Sequence, residues 1–145
     1  MITGEYRYSL DEKGRLMVPA KIRADITGNV LILTRGIEKC LWLFSPEEWK
    51  IISGKLLAST SIFQEKTRLI QRRFIAPAQE VEIDRTGRIV IPSTLREYGG
   101  LTKECIVLGM LNRLEIWDDV VYQNYWEDKE SEFQAAAEEL GAKLV

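Results

Sequence analysis

Residues 9–23 read SLDEKGRLMVPAKIR, and residues 82–96 read EIDRTGRIVIPSTLR, a second copy of the same motif 73 positions further along. Five positions are identical in the two copies, namely Asp11/Asp84, Gly14/Gly87, Arg15/Arg88, Pro19/Pro92 and Arg23/Arg96. The residues between the first arginine and the proline are apolar in both copies. Self-similarity of this kind indicates a duplicated unit, so we expect two modules of one design in the 145-residue chain.

Each copy contains a tight turn of the pattern Asp-x-x-Gly. Aspartate favours the first turn position because it bonds backbone N–H groups ahead of it, and glycine accepts a positive φ. The turn-forming residues are Asp11, Gly14, Asp84 and Gly87. Alternating or apolar stretches flank each turn, and this pattern predicts a hairpin whose second strand is 16–18 in the first copy and 89–91 in the second.

Further elements follow each motif. Proline suits the first turn of a helix, which predicts short helices at 20–26 and 93–98, the second closed by Gly99 and Gly100. A second hairpin is expected in each module, at 30–34 with 40–44 and at 105–109 with 113–117.

Three longer helices are expected outside these motifs. Pro46 opens one, and Asp118 or Asp119 caps another near the C-terminus. Between them, Ser59 or Ser61 caps a helix that Pro77 ends. The inner face of this middle helix is predicted from the helical spacing of Phe63, Thr67, Ile70 and Phe74.

We divide the chain into module 1 at 5–47, a helical connector at 48–76, module 2 at 77–121 and an acidic C-terminal helix at 122–145. A module of about 45 residues is too small to bury an adequate core alone. The modules are therefore expected to pair about a pseudo-two-fold axis, sharing an interior of Leu16, Val18, Ile89 and Ile91. Such pairing would place both Gly-Arg turns on one composite surface.

Composition argues against several kinds of function. The chain has no histidine, which removes histidine-based acid–base catalysis and most zinc or copper sites. Cys40 and Cys105 lie in apolar, strand-like segments and are expected to be buried thiols. We therefore expect no enzyme activity, no metal, no cofactor and no small-molecule substrate. No signal peptide or membrane-spanning stretch is recognisable, so a cytoplasmic protein without a membrane partner is expected.

The net charge of −2 does not describe a simple basic nucleic-acid binder, but the charges are unevenly distributed. Residues 127–145 hold six acidic and two basic side chains, a net charge of −4, whereas 64–75 hold four basic and one acidic, a net charge of +3. Within 64–75, Arg72 and Arg73 are interpreted as helix-surface or intersubunit charges rather than DNA contacts. An acidic tail can thus coexist with a locally basic face.

The pattern Asp-x-x-Gly-Arg-x-x-x-Pro resembles the SpoVT/AbrB class of DNA-binding proteins. Two copies in one chain, with Thr34-Arg35-Gly36 in the first and Leu108-Gly109-Met110 in the second, resemble the MraZ family in particular. The resemblance implies an α+β fold in which two SpoVT/AbrB-type modules pair as a swapped-hairpin β-barrel with added helices. It also implies a ring-forming homo-oligomer in the cytoplasm and nucleoid that represses transcription from direct repeats upstream of the division and cell-wall gene cluster.

The resemblance assigns contacts with double-stranded DNA to Arg15 and Arg88. A guanidinium matches guanine O6/N7 or a phosphate with paired donors. The alternative is that each arginine forms an ion pair with Asp11 or Asp84 and holds its own turn, and the two roles can coexist.

Other basic residues near the motifs are weaker candidates. Lys13 in the first turn and Arg85 in the second are candidate phosphate contacts, although Thr86 stands where the first copy has Lys13. Whether Arg85 replaces that lysine is left open. Candidate backbone contacts on the short helices are Lys21, Arg23 and Arg96, although solvated helix faces commonly carry such residues.

Rival functions remain at this stage. A self-assembling scaffold is favoured by the acidic pI near 5.4, and a toxin-neutralising AbrB-like protein is a second alternative. Asp11 and Asp84 could form a catalytic carboxylate pair, but turn chemistry explains both. The four tryptophans have apolar neighbours, which favours a core or subunit interface over base stacking.

Overall fold

A computed structural model describes residues 2–144, and the chain folds into alternating strands and helices, as predicted for an α+β protein. The first repeat contains β1 (Ile2–Ser9), β2 (Arg15–Met17), α1 (Ala20–Asp25), β3 (Val30–Arg35) and β4 (Leu41–Phe44). The connector contains α2 (Pro46–Ser59) and α3 (Glu65–Ile70), which continues into a π-helical turn (Gln71–Ile75). The second repeat contains β5 (Gln79–Glu82), β6 (Arg88–Val90), α4 (Ser93–Gly99), β7 (Glu104–Leu111) and β8 (Leu114–Asp118), and α5 (Asp119–Leu144) follows it. Val145, the last residue of the predicted C-terminal segment, lies outside the described residues.

The strands of the two repeats interlock. Six of them form an antiparallel sheet in the order β1-β7-β8-β4-β3-β5, and β2 pairs with β6 in a separate two-stranded ribbon. The predicted hairpins β3–β4 and β7–β8 form within their own repeats. The other ladders, β1–β7, β3–β5, β4–β8 and β2–β6, each join one repeat to the other.

The registers relate the repeats by an approximate two-fold axis. In the ribbon, Leu16 lies opposite Ile89, its own counterpart 73 residues later. Beyond the ribbon, the Val18 N–H donates to the Gly87 carbonyl at 2.8 Å, and the Ile91 N–H donates to the Gly14 carbonyl at the same distance. The pairing of the two motifs is thus direct and nearly symmetric.

One expectation about the strands was wrong, and a second is not confirmed. The motif turn does not join a hairpin, because β1 leaves the turn to pair with β7, while β2 pairs with β6. The swapped-hairpin β-barrel that the resemblance implies is not confirmed, since no ladder within residues 2–144 joins the outer strands β1 and β5. The three-residue strands β2 and β6 pair with each other instead of linking those edges, so the six-stranded sheet stays open.

The open sheet carries a hydrophobic cluster on each face. On one face, the four residues predicted to share an interior, Leu16, Val18, Ile89 and Ile91, are all at most 2% exposed. The other face is aromatic, with Trp42, Phe44 and Trp117 buried beneath the connector and the start of α5. Cys40 and Cys105 are buried free thiols, as predicted, and burial raises the pKa of Cys105 to about 12.

The helices begin largely where their caps predict. The Ser45 hydroxyl accepts a hydrogen bond from the Glu48 N–H at the start of α2, and Asp118 Oδ2 accepts one from the Val121 N–H at the start of α5. None of the helices in the described part of the chain is long and apolar enough to cross a membrane.

The predicted start of α3 was wrong. The Ser61 hydroxyl accepts a hydrogen bond from the Phe63 N–H within a turn, so the helix begins only after Gln64. Phe63 therefore lies outside the helix and is 89% exposed, whereas Thr67 is buried and Phe74 packs against Trp42. The predicted inner face is correct for Thr67 and Phe74 and wrong for Phe63 and Ile70, since Ile70 is 44% exposed.

Candidate nucleic-acid interface

The first motif turn is held by its aspartate. Asp11 Oδ1 accepts hydrogen bonds from the N–H groups of Lys13 and Arg15, at 2.9 and 2.8 Å. The Gly14 N–H donates to the Asp11 carbonyl at 3.0 Å, and Gly14 has φ of +77°, a value that glycine adopts without strain. This is the turn that the sequence predicted.

The second turn repeats this geometry with one additional bond. Asp84 Oδ1 accepts from the N–H groups of Thr86 and Arg88, at 2.9 and 3.0 Å, and Gly87 has φ of +89°. The Thr86 hydroxyl also donates to Asp84 Oδ1, at 2.8 Å. The threonine thus strengthens its own turn at the position where the first copy carries the lysine.

The ribbon brings Arg15 and Arg88 together. Arg15 Nε lies 2.6 Å from Asp11 Oδ2, and Arg88 Nη1 lies 3.5 Å from the same oxygen. Arg88 Nε is also 3.5 Å from Asp84 Oδ2. Both arginine side chains are 29% exposed, so they are neither buried nor directed to opposite ends of the molecule.

Both aspartates remain ionised at neutral pH. The Arg88 N–H, followed by the Thr86 hydroxyl, lowers the pKa of Asp84 to about 2, and the Arg15 N–H is the main cause of a lowered pKa at Asp11. The ion pairing that the sequence left open as an alternative is therefore present. Two carboxylates balance two guanidiniums, so any excess positive charge at this surface comes from neighbouring residues.

The other exposed basic residues near the two turns lie at non-equivalent positions. Lys13, Arg85 and Lys21 are exposed, the first two on the turns and the third on α1. Lys13 and Arg85 occupy different positions within their turns, since Arg85 matches Glu12 and Thr86 matches Lys13. The two turns therefore present one cation each from non-equivalent positions.

Arg23 and Arg96 have a role that the sequence did not reveal. Each lies against the turn of the opposite repeat: a Cβ built on Gly87 would collide with the Arg23 guanidinium, and one built on Gly14 would lie 3.0 Å from Arg96 Cζ. Arg23 Nε also donates to the Val18 carbonyl at 3.0 Å. Both side chains are half-buried, so they support the turns rather than lie on solvated helix faces, and backbone contact by either stays a prediction.

A signal for this support was present in the sequence. Arg23 and Arg96 are the same residue at matched positions of the repeat. A helix face that is only solvated does not require the same residue in both copies. The sharing of Asp11 by Arg15 and Arg88 had no such signal, because it depends on which strands pair across the axis.

The described residues offer little for other chemistry. In residues 2–144, no three cysteine or carboxylate side chains are grouped so that they could hold a metal ion. Trp42 and Trp117 are buried against aromatic neighbours, as expected for core residues, and are closed to base stacking.

The fold and the site define a duplicated α+β protein whose interlocked repeats bring two arginine turns onto one surface. A family model described as "MraZ protein, putative antitoxin-like" matches the chain twice, over residues 1–73 and 74–143. A protein of Treponema denticola named "Transcriptional regulator MraZ" is 49% identical over 140 residues, which cover 97% of each chain. A protein of the same name from Treponema pallidum (strain Nichols) is 48% identical over 138 residues, covering 95% of this chain and 93% of the relative. The chain therefore belongs to the MraZ family, as its motifs indicated.

Proposed function

We propose that this protein is a sequence-specific DNA-binding transcriptional regulator, with Arg15 and Arg88 as its principal DNA contacts. The observation that carries the proposal is the β2–β6 register, which brings both arginines to a single carboxylate, Asp11. The relatives named transcriptional regulators support the same conclusion. No catalysis, cofactor or small-molecule substrate forms part of this function.

The ion pairs prepare the arginines for DNA. Asp11 and Asp84 hold the guanidiniums in defined positions while each side chain stays partly exposed. On binding, the guanidinium N–H groups that now point at a carboxylate bond a phosphate or a guanine edge instead. Little side-chain conformational entropy is lost, because the arginines are already held in place. Lys13 and Arg85 add phosphate contacts at the turn tips, and Lys21 follows the backbone from α1.

The finer proposal concerns the target and the assembly. We propose a cytoplasmic, nucleoid-associated repressor that binds direct repeats upstream of the division and cell-wall gene cluster, as its family resemblance implies. Its four segments are 5–47, 48–76, 77–121 and 122–145, and the two modules act together as a SpoVT/AbrB-type unit. One pair of turns offers few base contacts, at about 1–3 kcal/mol of discrimination each. A homo-oligomeric ring presenting several pairs to repeated short sites gains affinity through effective concentration.

An electrophoretic shift on promoter DNA at several salt concentrations tests the proposal. Neutralising several phosphates releases counterions, so we expect affinity to fall steeply as salt rises, by roughly 10³-fold or more between 50 and 200 mM if six phosphates are contacted. A scrambled duplex of the same length is the control for specificity. A protein that only assembles with itself, or only neutralises a toxin, would give no shift at any salt concentration.

A further inference from the structure

The connector forms an open apolar cleft on the aromatic face of the sheet. Its volume is about 830 Å³, and it lies between α2, α3 with the π-helical turn, and the β3–β4 connection. Its apolar lining includes Trp42, Ile52, Leu56, Leu69, Ile70 and Phe74. Leu69 and Ile70 are 55% and 44% exposed, so this cleft leaves large hydrophobic side chains in contact with water.

Three arginines without acidic partners stand at this cleft. They are Arg35, Arg72 and Arg73, and none has a carboxylate of the described residues within ion-pair distance. The Arg35 and Arg73 guanidiniums both lie over the Tyr98 ring, at 5.0 and 5.6 Å from its centroid. Arg35 Nε is buried with no hydrogen-bond partner. The cleft therefore suits an occupant that is apolar on one side and acidic at its edges.

The far half of α5 has this character. Trp126, Phe133 and Leu140 recur every seven residues, which places them on one stripe of the helix, with Ala136 and Ala137 beside it. Phe133 and Leu140 are 54% and 57% exposed. The acidic residues of this half are Glu127, Asp128, Glu130, Glu132, Glu138 and Glu139, against the two lysines Lys129 and Lys143.

The repeat symmetry shows that, among the described residues, the start of α5 lacks the aromatic cover that the start of α2 has. α2 follows β4 as α5 follows β8, and Trp49 on Phe44 matches Tyr122 on Trp117, with ring centroids 5.5 and 5.2 Å apart. In the first repeat Phe74, from the π-helical turn, packs against Trp49 at 5.3 Å. In the second repeat the chain continues as a single exposed helix to Leu144.

We propose that the far half of α5 from one copy of the chain docks in the cleft of a second copy. The docking would cover the stripe and bring acidic residues to three unpaired arginines. Pairing of α5 with α5 would instead place one acidic helix against another. None of the described residues of α5 lines the cleft of its own chain. Because α5 is one uninterrupted helix of 26 residues, about 39 Å long, it would have to break in order to fold back.

Such a contact joins two different surfaces, so it repeats from copy to copy and closes only as a ring or continues as a filament. The inference deepens the oligomerisation included in the proposed function, and it does not depend on DNA binding. Assembly can therefore be measured without DNA, and failure of one proposal is distinguishable from failure of the other.

Sedimentation velocity of the full chain and of two variants tests the docking. Phe133→Asp alters the helix and Leu69→Asp alters the cleft, both at exposed positions. We expect the unaltered protein to exceed the mass of one chain and each variant to sediment as one chain. An equimolar mixture of the variants retains one intact helix and one intact cleft, so it should form a complex of two chains and nothing larger.

Controls keep the result unambiguous. Leu111→Asn removes a 63% exposed leucine from the end of β7, where φ of +70° suits asparagine, and should leave assembly unchanged. If circular dichroism shows that Leu69→Asp is unfolded, the exposed pair Arg72→Glu with Arg73→Glu replaces it.

Several outcomes would overturn the docking. They are a wild-type protein with the mass of one chain, variants that assemble normally, a cleft variant that still dimerises through α5, and a mixture that stays at one chain. A folded cleft variant that assembles normally but loses DNA binding would show that the cleft is a nucleic-acid surface instead.

Discussion

At the scale of single residues, the two central arginines differ in how tightly they are held. Arg15 makes a close ion pair with Asp11, whereas Arg88 is divided between two carboxylates at 3.5 Å each. Ion pairs with this exposure contribute little to stability, because water screens them. The cluster therefore serves to orient the guanidiniums more than to hold the fold together.

Replacing either arginine should separate DNA binding from stability. For Arg15→Ala and for Arg88→Ala we expect loss of about 1–3 kcal/mol of specific contact, so that affinity for the promoter site falls by roughly 5- to 150-fold. The free energy of unfolding should change by less than about 1 kcal/mol. Fluorescence anisotropy with labelled DNA and urea denaturation measure the two quantities.

A matched control is available at Arg7, which forms a surface ion pair with Asp119 at 2.8 Å. Arg7→Ala removes an arginine of similar kind and should leave DNA affinity unchanged. If Arg15→Ala and Arg88→Ala unfold the protein instead, the arginines are required as turn supports, and the expected separation of DNA binding from stability is wrong.

At the scale of elements, the ribbon is short yet central, because its buried side chains lie where the two repeats meet. Leu16 is 1% exposed and pairs with Ile89 on the axis, whereas Val90 in the same ribbon is 54% exposed. The ribbon thus has one face inside the shared core and one face toward solvent. The inner face fixes how the two turns are placed relative to each other.

Leu16→Ala should therefore be far more damaging than Val90→Ala. A leucine-to-alanine change at a fully buried site costs about 2–5 kcal/mol, since it removes apolar contacts and leaves a cavity. The exposed valine should cost less than about 1 kcal/mol. Equal midpoints for both variants in urea denaturation would mean that the ribbon is not part of the core.

Sequence reasoning was most successful for local features. The Asp-x-x-Gly turns, the helices after each proline and the β3–β4 and β7–β8 hairpins depend on neighbours within a few residues, and the sequence shows these directly. Strand partners that are distant in the chain are different. An apolar pattern at 16–18 indicates a buried strand but does not name its partner, so the β2–β6 pairing and the open sheet were missed.

At the scale of the whole molecule, neither repeat forms a complete sheet by itself. Four of the six strand ladders join one repeat to the other. A repeat without its partner would expose the backbone groups of several strand edges and the shared apolar interior. The two repeats should consequently gain and lose their structure together.

We therefore expect a single cooperative unfolding transition. Far-ultraviolet circular dichroism reports the helices and strands of the chain, and fluorescence reports Trp42, Trp49, Trp117 and Trp126, which are divided between the repeats and their helices. The two signals should give coincident urea curves, as two-state unfolding requires. Two separated transitions would show that the repeats fold as independent domains.

The difference between the two turns has a consequence for how the protein is oriented along DNA. In a protein made of two identical chains, both turns must be alike, and such a protein meets a site and its inverted copy in the same way. Here Lys13 and Thr86 occupy matched places within one chain, so each turn is free to specialise. With unlike contact points, the molecule acquires a front and a back along the double helix, and copies arranged head to tail would all face the same way over tandem sites.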